Sequence, residues 1–523
     1  MENKKSCRQC NIEFAISSDD FAFYETMKVP PPTWCPKCRM KRRMAWYGYR
    51  ILYKRDDMIT FYPPDSGHAI MDQKIWWGDS WDPKAYGREY DFNRPFFEQW
   101  NELFKAVPKP ALHTDYSTMI GSPYCNGASY LKNCYLCFKF DRSEECGYCN
   151  SCSLLKNCFD VSWSNGAELC YECVNLERCY QVFFSQDCAD CHNIWYSRDL
   201  VGCSNCYGCI NLRKKNYCIF NEQFSKEEYE KRIKEFDPAK VEQFFLKFPR
   251  RQFHGRKNLN VSGDYIYNSK NVRDSYWISD GENVRYGQLL QALHARNAYD
   301  YTAFAFKAEW IYECCWVGIN TSNVKFSFWN YSGHDLEYCW GCHSASNCFG
   351  CVGLRKGEYC ILNRQYSPSE YADLISKIKA QMSKTGEYGE FFPVKYSPWA
   401  YNESHAYEYL PMISKEQALA QSFSWRDEDK REYKPAHDDI FACRQCGRNY
   451  QLIGKEIQFL QRFNLRDPDY CPLCRDRARI KLLNPIAIYH RNCAKCNKEI
   501  ESSYSPDRPE IVYCEQCYQQ EVA

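Results

Sequence analysis

The stretch SNCYGCINLRKKNYCIFNEQFS at residues 204–225 has a second version in the same chain, SNCFGCVGLRKGEYCILNRQYS at 346–367. Fourteen of the 22 positions are identical, and the two versions align without a gap. The similarity belongs to two larger blocks, at about 111–235 and 259–377. The sequence therefore predicts two copies of one structural unit, and the way that unit is built determines how most of the 35 cysteines are interpreted.

Within each block, short runs of tyrosine, phenylalanine, valine and cysteine alternate with asparagine, glycine, serine and aspartate. A fixed short period with turn residues between apolar runs is typical of a β-solenoid. Two steps of 12 residues would make one coil of about 24 residues, with a thiol as a small apolar filler at the inward positions. The period is visible in Cys134, Cys146, Cys158 and Cys170, in Cys137, Cys149, Val161 and Cys173, and in the pairs Cys191–Cys203 and Cys206–Cys218.

A helix is predicted directly after each copy of the repeated segment. Ser225 with Glu228, and Ser367 with Glu370, form S-x-x-E capping boxes, and Pro368 occupies the first helical position. The end of a solenoid exposes unpaired strand edges that must be covered. We therefore expect each helix to cap its own solenoid.

Twelve further cysteines lie near the two ends of the chain, in three sets of paired CxxC motifs. Two residues between thiols allow both sulfurs, about 2.3 Å from the ion, to share one edge of a tetrahedron. Four thiolates with no open position imply structural zinc, about three ions per chain, with iron in a rubredoxin-like site as the alternative. The predicted ligands are Cys7, Cys10, Cys35 and Cys38; Cys443, Cys446, Cys471 and Cys474; and Cys493, Cys496, Cys514 and Cys517.

A fourth ribbon without cysteines is predicted at residues 51–80. Residues 35–56 align with 471–492 without a gap, and the segments that follow them also correspond. A small ribbon without metal normally unfolds, so aromatic packing is expected to replace the ion. The former cysteine positions hold Asp57, Asp72 and Ile75, and the aromatic side chains within reach are Trp76, Trp77, Trp81 and Tyr86.

The central cysteines allow three interpretations: packing, additional zinc, or an iron–sulfur cluster. The run at Cys146, Cys149 and Cys152 resembles cluster motifs. The duplication favours packing, because Cys203 corresponds to Ala345 and the first copy has 16 cysteines where the second has seven. A metal ligand cannot be replaced by alanine while the site survives, whereas a core filler can.

The predicted fold is mainly β and multi-domain: two duplicated β-solenoid-like units with capping helices, flanked by tandem zinc ribbons at both ends. An amphipathic helix follows the metal-free ribbon, with Phe96, Phe97, Trp100 and Phe104 on one face. The predicted segments are a zinc ribbon (1–50), the metal-free ribbon with the amphipathic helix (51–110), solenoid unit 1 with its helix (111–235), a basic linker (236–258), solenoid unit 2 with its helix (259–377), an aromatic and helical connector (378–440), and two zinc ribbons (441–486 and 487–523).

Charge is balanced, with 68 basic and 66 acidic residues, so any contact with nucleic acid must come from local patches. Residues 37–50 place basic side chains among aromatic ones, which can neutralise phosphates and stack on bases. A solvated helix face is the alternative, and the ribbons could equally bind a protein assembly. The candidate residues are Lys37, Arg39, Lys41, Arg42, Arg43, Trp46, Arg50, Arg250, Arg251, Arg475 and Arg479.

Catalytic motifs are scarce: the sequence has no HExxH, P-loop, GxSxG or dinucleotide fingerprint. Glu403, His405 and Glu408 form either an acid–base or metal cluster or a satisfied loop. We expect a zinc-binding, non-enzymatic interaction protein that contacts nucleic acid or a nucleoprotein assembly. The alternatives are a redox or iron–sulfur enzyme using the cysteines of 134–218, and a structural scaffold or self-assembling protein.

The N-terminal MENKKSCRQC lacks the apolar core of a signal peptide, and no run reaches the roughly 18 apolar residues of a spanning helix. We therefore expect a cytoplasmic protein without a membrane partner. In a reducing compartment, many thiols indicate metal ligands or packing rather than disulfides.

Several phrases together resemble a family of large, cysteine-rich zinc-ribbon proteins from poorly cultivated bacteria: CPKCRMKRR, YGREYDFNRPFFEQWNELFKAVP, YNESHAYEYLP and YSPDRPEIVYCEQCY. The resemblance covers nearly the whole chain and implies zinc ribbons at both ends. Some members carry a CaiB/BaiF CoA-transferase label, an activity that no motif of this chain supports. The family pattern has cysteines in the second N-terminal ribbon, where this chain has Asp57, Asp72 and Ile75.

Overall fold

The computed structural model describes residues 3–290, 294–427, 433 and 440–522, and it forms two compact units. Unit 1 comprises Met1–Ala111, Phe253–Arg426 and Ile486–Ile488. Unit 2 comprises Leu112–Gln252, Asp427–Pro485 and Tyr489–Ala523. Each unit combines a solenoid with the ribbons from the far end of the chain. The parts are named ribbon A (1–50), ribbon B (51–80) and solenoid 2 (255–365) in unit 1, and solenoid 1 (114–223), ribbon C (441–485) and ribbon D (489–523) in unit 2.

The fold is mainly β, as predicted. Each solenoid is one 12-stranded sheet wound into coils, about 20 turns in all. Solenoid 1 contains the strands Met119–Ile120, Asn126–Lys132, Phe138–Glu144, Asn150–Lys156, Phe159–Ser162, Asn165–Glu168, Tyr171–Phe183, Gln186–Ala189, His192–Trp195, Ser204–Tyr207, Asn216–Ile219 and Glu222–Gln223. Solenoid 2 contains Gly255–Arg256, Leu259–Tyr267, Lys270–Ser279, Gly281–Arg285, Gln288–Leu290, Ala295–Thr302, Ala308–Cys315, Thr321–Lys325, His334–Glu337, Ser346–Phe349, Glu358–Ile361 and Arg364–Gln365.

The remaining strands form two-stranded sheets, antiparallel in the ribbons and parallel where a ribbon meets the chain before a solenoid. The antiparallel pairs are Asn3–Ser6 with Glu13–Ile16, Tyr53–Arg55 with Met58–Thr60, Ile440–Ala442 with Asn449–Gln451, and Tyr489–Asn492 with Glu499–Ser502. The parallel pairs are Ile70–Met71 with Lys109–Pro110, and Val512–Tyr513 with Arg250–Arg251.

Helices occur mainly in the ribbons, at the solenoid ends and in the connector. No helix among the residues in view combines the length and the apolar character needed to cross a bilayer. The helices are α1 (Ser18–Thr26), α2 (Pro36–Ala45), α3 (Gln73–Trp77), α4 (Phe96–Ala106), α5 (Lys226–Arg232), α6 (Val241–Phe245), α7 (Pro368–Thr385), α8 (His405–Tyr409), α9 (Lys415–Ala420), α10 (Gly454–Arg462), α11 (Pro472–Lys481) and α12 (Glu515–Val522).

One predicted step of the period closes a whole coil of the solenoid. Parallel pairing joins Cys206 to Cys218 in solenoid 1 and Leu336 to Cys348 in solenoid 2, one step further along the chain in each case. Some coils of solenoid 2 are longer, as where Ala308 pairs with Thr321. The two-solenoid prediction is confirmed, but the prediction that two steps make one coil is wrong.

A three-residue period makes such a small coil possible. Every third residue has a left-handed backbone, for example Asn133 at φ 56° and Leu136 at φ 48°, and the residue after each one points inward, here Cys134 and Cys137. Each left-handed residue bends the chain at a corner, so a coil has four short sides and four inward positions. The C-x-x-C-x-x-C runs follow from this period, because neighbouring inward positions are three residues apart.

Inward thiols and hydroxyls bond the backbone between coils. Ser197 Oγ accepts from Cys209 N in the next coil at 3.0 Å and donates to Trp195 O at 2.8 Å. Cys191 Sγ likewise accepts from Cys203 N at 3.4 Å and donates to the carbonyl two residues before it at 3.1 Å. The expectation that cysteine fills the core is therefore refined: at these positions it also pairs a buried N–H group.

The two predicted helices cover the C-terminal ends of their solenoids. In solenoid 1, Ser225 Oγ accepts from Glu228 N at 3.2 Å, and Tyr229 of α5 packs 5.4 Å from the Tyr217 ring. In solenoid 2, α7 has a complete capping box, and Tyr371 packs 5.7 Å from Tyr359. These contacts place aromatic rings over the last coils.

Candidate metal centres

Three groups of four cysteines could each hold a metal ion. In each group the four Sγ atoms lie within 4.8 Å of one another, and the groups are the three sets predicted from CxxC spacing. One CxxC pair lies in a hairpin turn, as in ribbon A between Asn3–Ser6 and Glu13–Ile16. The other pair lies at a helix start, where Cys35 caps α2 and Pro36 is its first residue. A helix N-terminus favours the thiolate that a metal requires.

The sulfur–sulfur distances fit tetrahedral coordination. Across each group, one pair is 3.8 Å apart in ribbon A, 3.7 Å in ribbon C and 3.9 Å in ribbon D. Four sulfurs about 2.3 Å from a central ion at tetrahedral angles would be about 3.8 Å apart. The quartets therefore have the size, the donors and the closed coordination of structural zinc or iron sites.

Backbone N–H groups point at these sulfurs. Cys35 N donates to Cys7 Sγ at 3.1 Å, and Cys514 N donates to Cys493 Sγ at 3.2 Å. Burial raises the pKa of Cys443, but N–H groups of Cys471 and Cys446 oppose it and bring the pKa to about 6. Backbone donors therefore favour the thiolate of Cys443, whereas burial raises the pKa of Cys471 in the same quartet to about 11.

Ribbon B keeps the outline of a ribbon with other residues at the cysteine positions. Its hairpin turns at Asp56, and Asp72 caps α3 by accepting from Lys74 N at 2.8 Å. Trp76 is fully buried, and its Nε1 donates to Pro108 O at 3.0 Å. Trp76 also packs against Trp77, Trp81 and Trp329. These contacts are the aromatic packing expected from the sequence.

The remaining cysteines line the two solenoid cores. All 35 cysteines lie within the described ranges and none of them forms a disulfide there; within the same ranges, the terminal quartets are the groups suited to hold a metal ion. The central thiols donate to backbone carbonyls, as Cys149 Sγ does to Cys158 O at 3.5 Å. The geometry therefore favours packing over a cluster or extra zinc in the solenoids.

The arginines of α2 are buried in ion pairs with solenoid 2. Arg39 Nη2 lies 2.7 Å from Asp300 Oδ2, and Arg43 Nη1 lies 2.7 Å from Glu313 Oε1 and 3.1 Å from Asp300 Oδ1. Arg42 Nη2 lies 3.0 Å from Glu313 Oε2. The three arginines are at most 3% exposed, so in this fold they hold ribbon A on its solenoid and do not face a phosphate.

The same arrangement occurs in unit 2, between α11 and solenoid 1. In the ribbon alignment, Arg475 and Arg479 correspond to Arg39 and Arg43. Arg479 Nη1 lies 2.7 Å from Asp160 Oδ1, and Arg475 Nε lies 3.3 Å from Asp160 Oδ2. We call each set of buried arginines and its solenoid carboxylates an arginine clamp. Both clamps begin one residue after a metal-ligand cysteine.

The other predicted nucleic-acid residues have mixed surroundings. Trp46 is buried, and its Nε1 donates to Phe392 O at 3.1 Å. Lys37 is exposed. The contacts of the remaining residues are Lys41 Nζ with Gln421 Oε1 at 3.2 Å, Arg50 Nη1 with Glu408 Oε1 at 3.2 Å, Arg251 Nη2 with Glu515 Oε1 at 3.7 Å, and Arg250 N with Ile511 O at 2.7 Å.

The segment around His405 does not form one acid–base site. Glu403 pairs with Arg426 at 2.5 Å and also bonds the Tyr53 hydroxyl. His405 stacks on Tyr47, with ring centroids 4.3 Å apart. The satisfied-loop interpretation fits these contacts.

Sequence reasoning missed the acidic halves of the clamps. Glu172 belongs to the second clamp, with Oε2 3.4 Å from Arg479 Nη1. In the sequence, each clamp carboxylate stands singly between apolar residues, and each occupies a left-handed corner of a coil: Asp160, Glu172, Asp300 and Glu313. Asp160 and Glu172 are separated by one repeat of the period, so they stand at the same corner of adjacent coils. An acidic residue repeated after one period was therefore the sequence signal that could have predicted the carboxylates of the clamp.

Comparison with known proteins adds no family. No family model and no curated protein matches the chain. A solved structure described as a candidate acetyltransferase from Desulfovibrio desulfuricans aligns over 47% of this chain and 68% of its own, at 11% identity and a TM-score of 0.09. A TM-score that low supports no conclusion about fold or function.

Proposed function

We propose that this is a zinc-binding, non-enzymatic interaction protein in which metal-held ribbons clamp two β-solenoids as rigid binding platforms. Closed quartets of thiolates support zinc in a structural role, because no coordination position is left for a substrate. Solenoids offer long, rigid faces suited to partners. The described cysteines form no disulfides, which suits a reducing compartment such as the cytoplasm.

One observation carries the proposal: the arginine clamp occurs twice, each time on the helix that begins at a metal ligand. A metal ion at Cys35 and Cys38 would fix the first turn of α2, which carries Arg39, Arg42 and Arg43 into solenoid 2. Because buried charges are costly unless paired, the metal would stabilise the solenoid as well as the ribbon.

Metal analysis tests the proposal directly. We expect about three zinc ions per chain, and about two in Cys35→Ser, with little change in Cys203→Ser as the matched control. Chelation should lower the unfolding midpoint of both units, because the clamps lose their fixed helices. A coloured preparation with iron and labile sulfide, or six or more zinc ions, would contradict the proposal and favour ligand chemistry in the solenoids.

The partner we propose is nucleic acid or a nucleoprotein assembly. Arg42 and Arg43 are unsuitable probes, because their replacement would open a clamp. Lys37 is exposed on the same helix and is the better probe. We expect salt-sensitive retention of mixed RNA or DNA that weakens in Lys37→Glu. Absence of any salt-sensitive retention would leave a protein assembly as the partner.

A further inference from the structure

Arg250 is a buried guanidinium whose Cζ atom lies 5.8 Å from the centre of the Phe245 ring, an aromatic rather than an anionic neighbour. It is 6% exposed, and its Nε and Nη1 atoms have no hydrogen-bond partner in the part of the chain that the structure describes. Its backbone is fixed, because Arg250 N donates to Ile511 O at 2.7 Å in the parallel pairing with ribbon D. Buried charges are normally paired, so this side chain needs an explanation.

The surroundings of Arg250 do not neutralise it. Burial, followed by the positive charge of Arg198, lowers the pKa of Arg250, and the smaller opposing effects of Tyr504, Glu510 and Asp199 do not cancel this. The carboxylates nearby already pair with other arginines, which leaves Arg250 as the surplus cation. These pairs are Asp199 with Arg213 at 3.0 Å and Glu510 with Arg508 at 3.1 Å.

Unit 1 contains an internal comparison. Its parallel pairing of Ile70 with Lys109 corresponds to that of Val512 with Arg250. Lys109 Nζ donates to the carbonyl oxygens of Phe104 and Val107, so this cation is satisfied by the C-terminal end of α4. At the corresponding position of unit 2, Arg250 stands in place of Lys109, and a planar guanidinium can bind an oxyanion through two parallel hydrogen bonds.

We infer that Arg250, together with Arg198, binds a phosphate-type oxyanion where ribbon D meets solenoid 1. Arg198 Nη2 donates to the Tyr504 hydroxyl at 3.2 Å, which places a polar group of ribbon D in the same site. The Arg198 side chain is 15% exposed, so the site reaches solvent on that side. An anion bound there would supply the negative charge that the neighbours of Arg250 do not provide. The inference does not depend on the proposed function.

Titration calorimetry on the full-length, zinc-loaded protein tests the site, with inorganic phosphate and a short single-stranded RNA as separate ligands. We expect phosphate to bind and to raise the unfolding midpoint. Arg250→Gln and Arg198→Gln should each weaken binding at least about tenfold, and Arg250→Lys should weaken it less. Lys214→Gln, an exposed basic residue of solenoid 1, should leave it unchanged.

The two ligands separate the sources of the oxyanion. If RNA displaces phosphate and loses affinity in Arg250→Gln, the site serves a polynucleotide backbone. If phosphate binds without RNA competition, it serves a small phosphate or sulfate. Failure of both phosphate and RNA to bind the wild-type protein overturns the inference, as does equal binding by a folded Arg250→Gln variant. Zinc content measured on the same samples keeps this result separate from the test of the metal centres.

Discussion

Arg43 shows how a sequence feature typical of nucleic-acid binding can have an internal role. Its side chain is fully buried and reaches Asp300, Glu313 and Thr302. Lys37, six residues earlier, is exposed. The basic residues of α2 therefore lie on a buried face and a solvated face of one helix, which the composition of the segment alone does not distinguish.

Arg43→Gln should destabilise unit 1 by about 3–5 kcal/mol, because it leaves buried carboxylates without their cation. Denaturant unfolding followed by tryptophan fluorescence measures the change. Lys37→Gln is the matched control on the same helix and should change stability by less than about 0.5 kcal/mol. Equal effects of the two substitutions would show that the clamp is not a stabilising contact.

His343 is a second residue whose environment decides its behaviour. It is 6% exposed among Trp76, Trp77 and Trp329, and neither ring nitrogen has a hydrogen-bond partner within the described ranges. Burial, with a smaller effect of Arg355, lowers its pKa to about 3. The folded protein therefore holds this imidazole neutral at a pH where an unfolded chain would protonate it.

Stability should fall as the pH drops from about 6.5 towards 3, since only the unfolded state takes up a proton at His343 in that window. The loss could reach about 5 kcal/mol at the acid end. His343→Phe should flatten this part of the pH profile of unfolding, and His334→Gln, at an exposed histidine, should not. A profile for His343→Phe that follows the wild type would assign the acid sensitivity to other groups.

At the scale of elements, short motifs predicted the positions of ribbons and helices better than the 12-residue repeat predicted the geometry of the solenoids. CxxC pairs and S-x-x-E boxes act within a few residues, and the ribbons and capping helices lie where these motifs placed them. The repeat period identified the solenoids but not the coil size. Left-handed corners occur at Leu136, Lys139 and Glu145, and these residue types rarely adopt a positive φ, so the sequence does not predict the corners.

The inward polar ladder gives a prediction for the coil itself. Ser197→Ala should cost about 1–3 kcal/mol, because Cys209 N–H is left buried without an acceptor. Ser197→Cys should cost clearly less, because a thiol fills the same role at Cys191. Thermal unfolding of the three proteins compares them, and equal costs for alanine and cysteine would show that the side-chain bond contributes little.

For the whole molecule, the notable feature is which segments share a unit. Ribbons A and B belong with solenoid 2, and ribbons C and D with solenoid 1. The clamp of ribbon A joins residues 261 positions apart. The basic residues form a dense local run and were found, whereas their acidic partners are visible only when acidic residues one repeat apart are compared.

Dividing the chain between Gln252 and Phe253 should give two halves that are each incomplete. Residues 1–252 would contain solenoid 1 without its ribbons and ribbon A without its solenoid. We expect each half to aggregate alone and the two to copurify after coexpression, as measured by affinity capture and light scattering. A well-folded, monomeric 1–252 fragment would contradict the unit assignment.

The long reach of the ribbon A clamp also has a consequence during synthesis. At about 5–20 residues per second, a ribosome needs roughly 10–50 s to translate the 261 residues between Arg39 and Asp300. For that time three arginines that end up buried have no carboxylates to meet, although the whole of solenoid 1 is translated within it. A nascent chain would pass through a stage at which α2 is cationic and open to ribosomal RNA or chaperones.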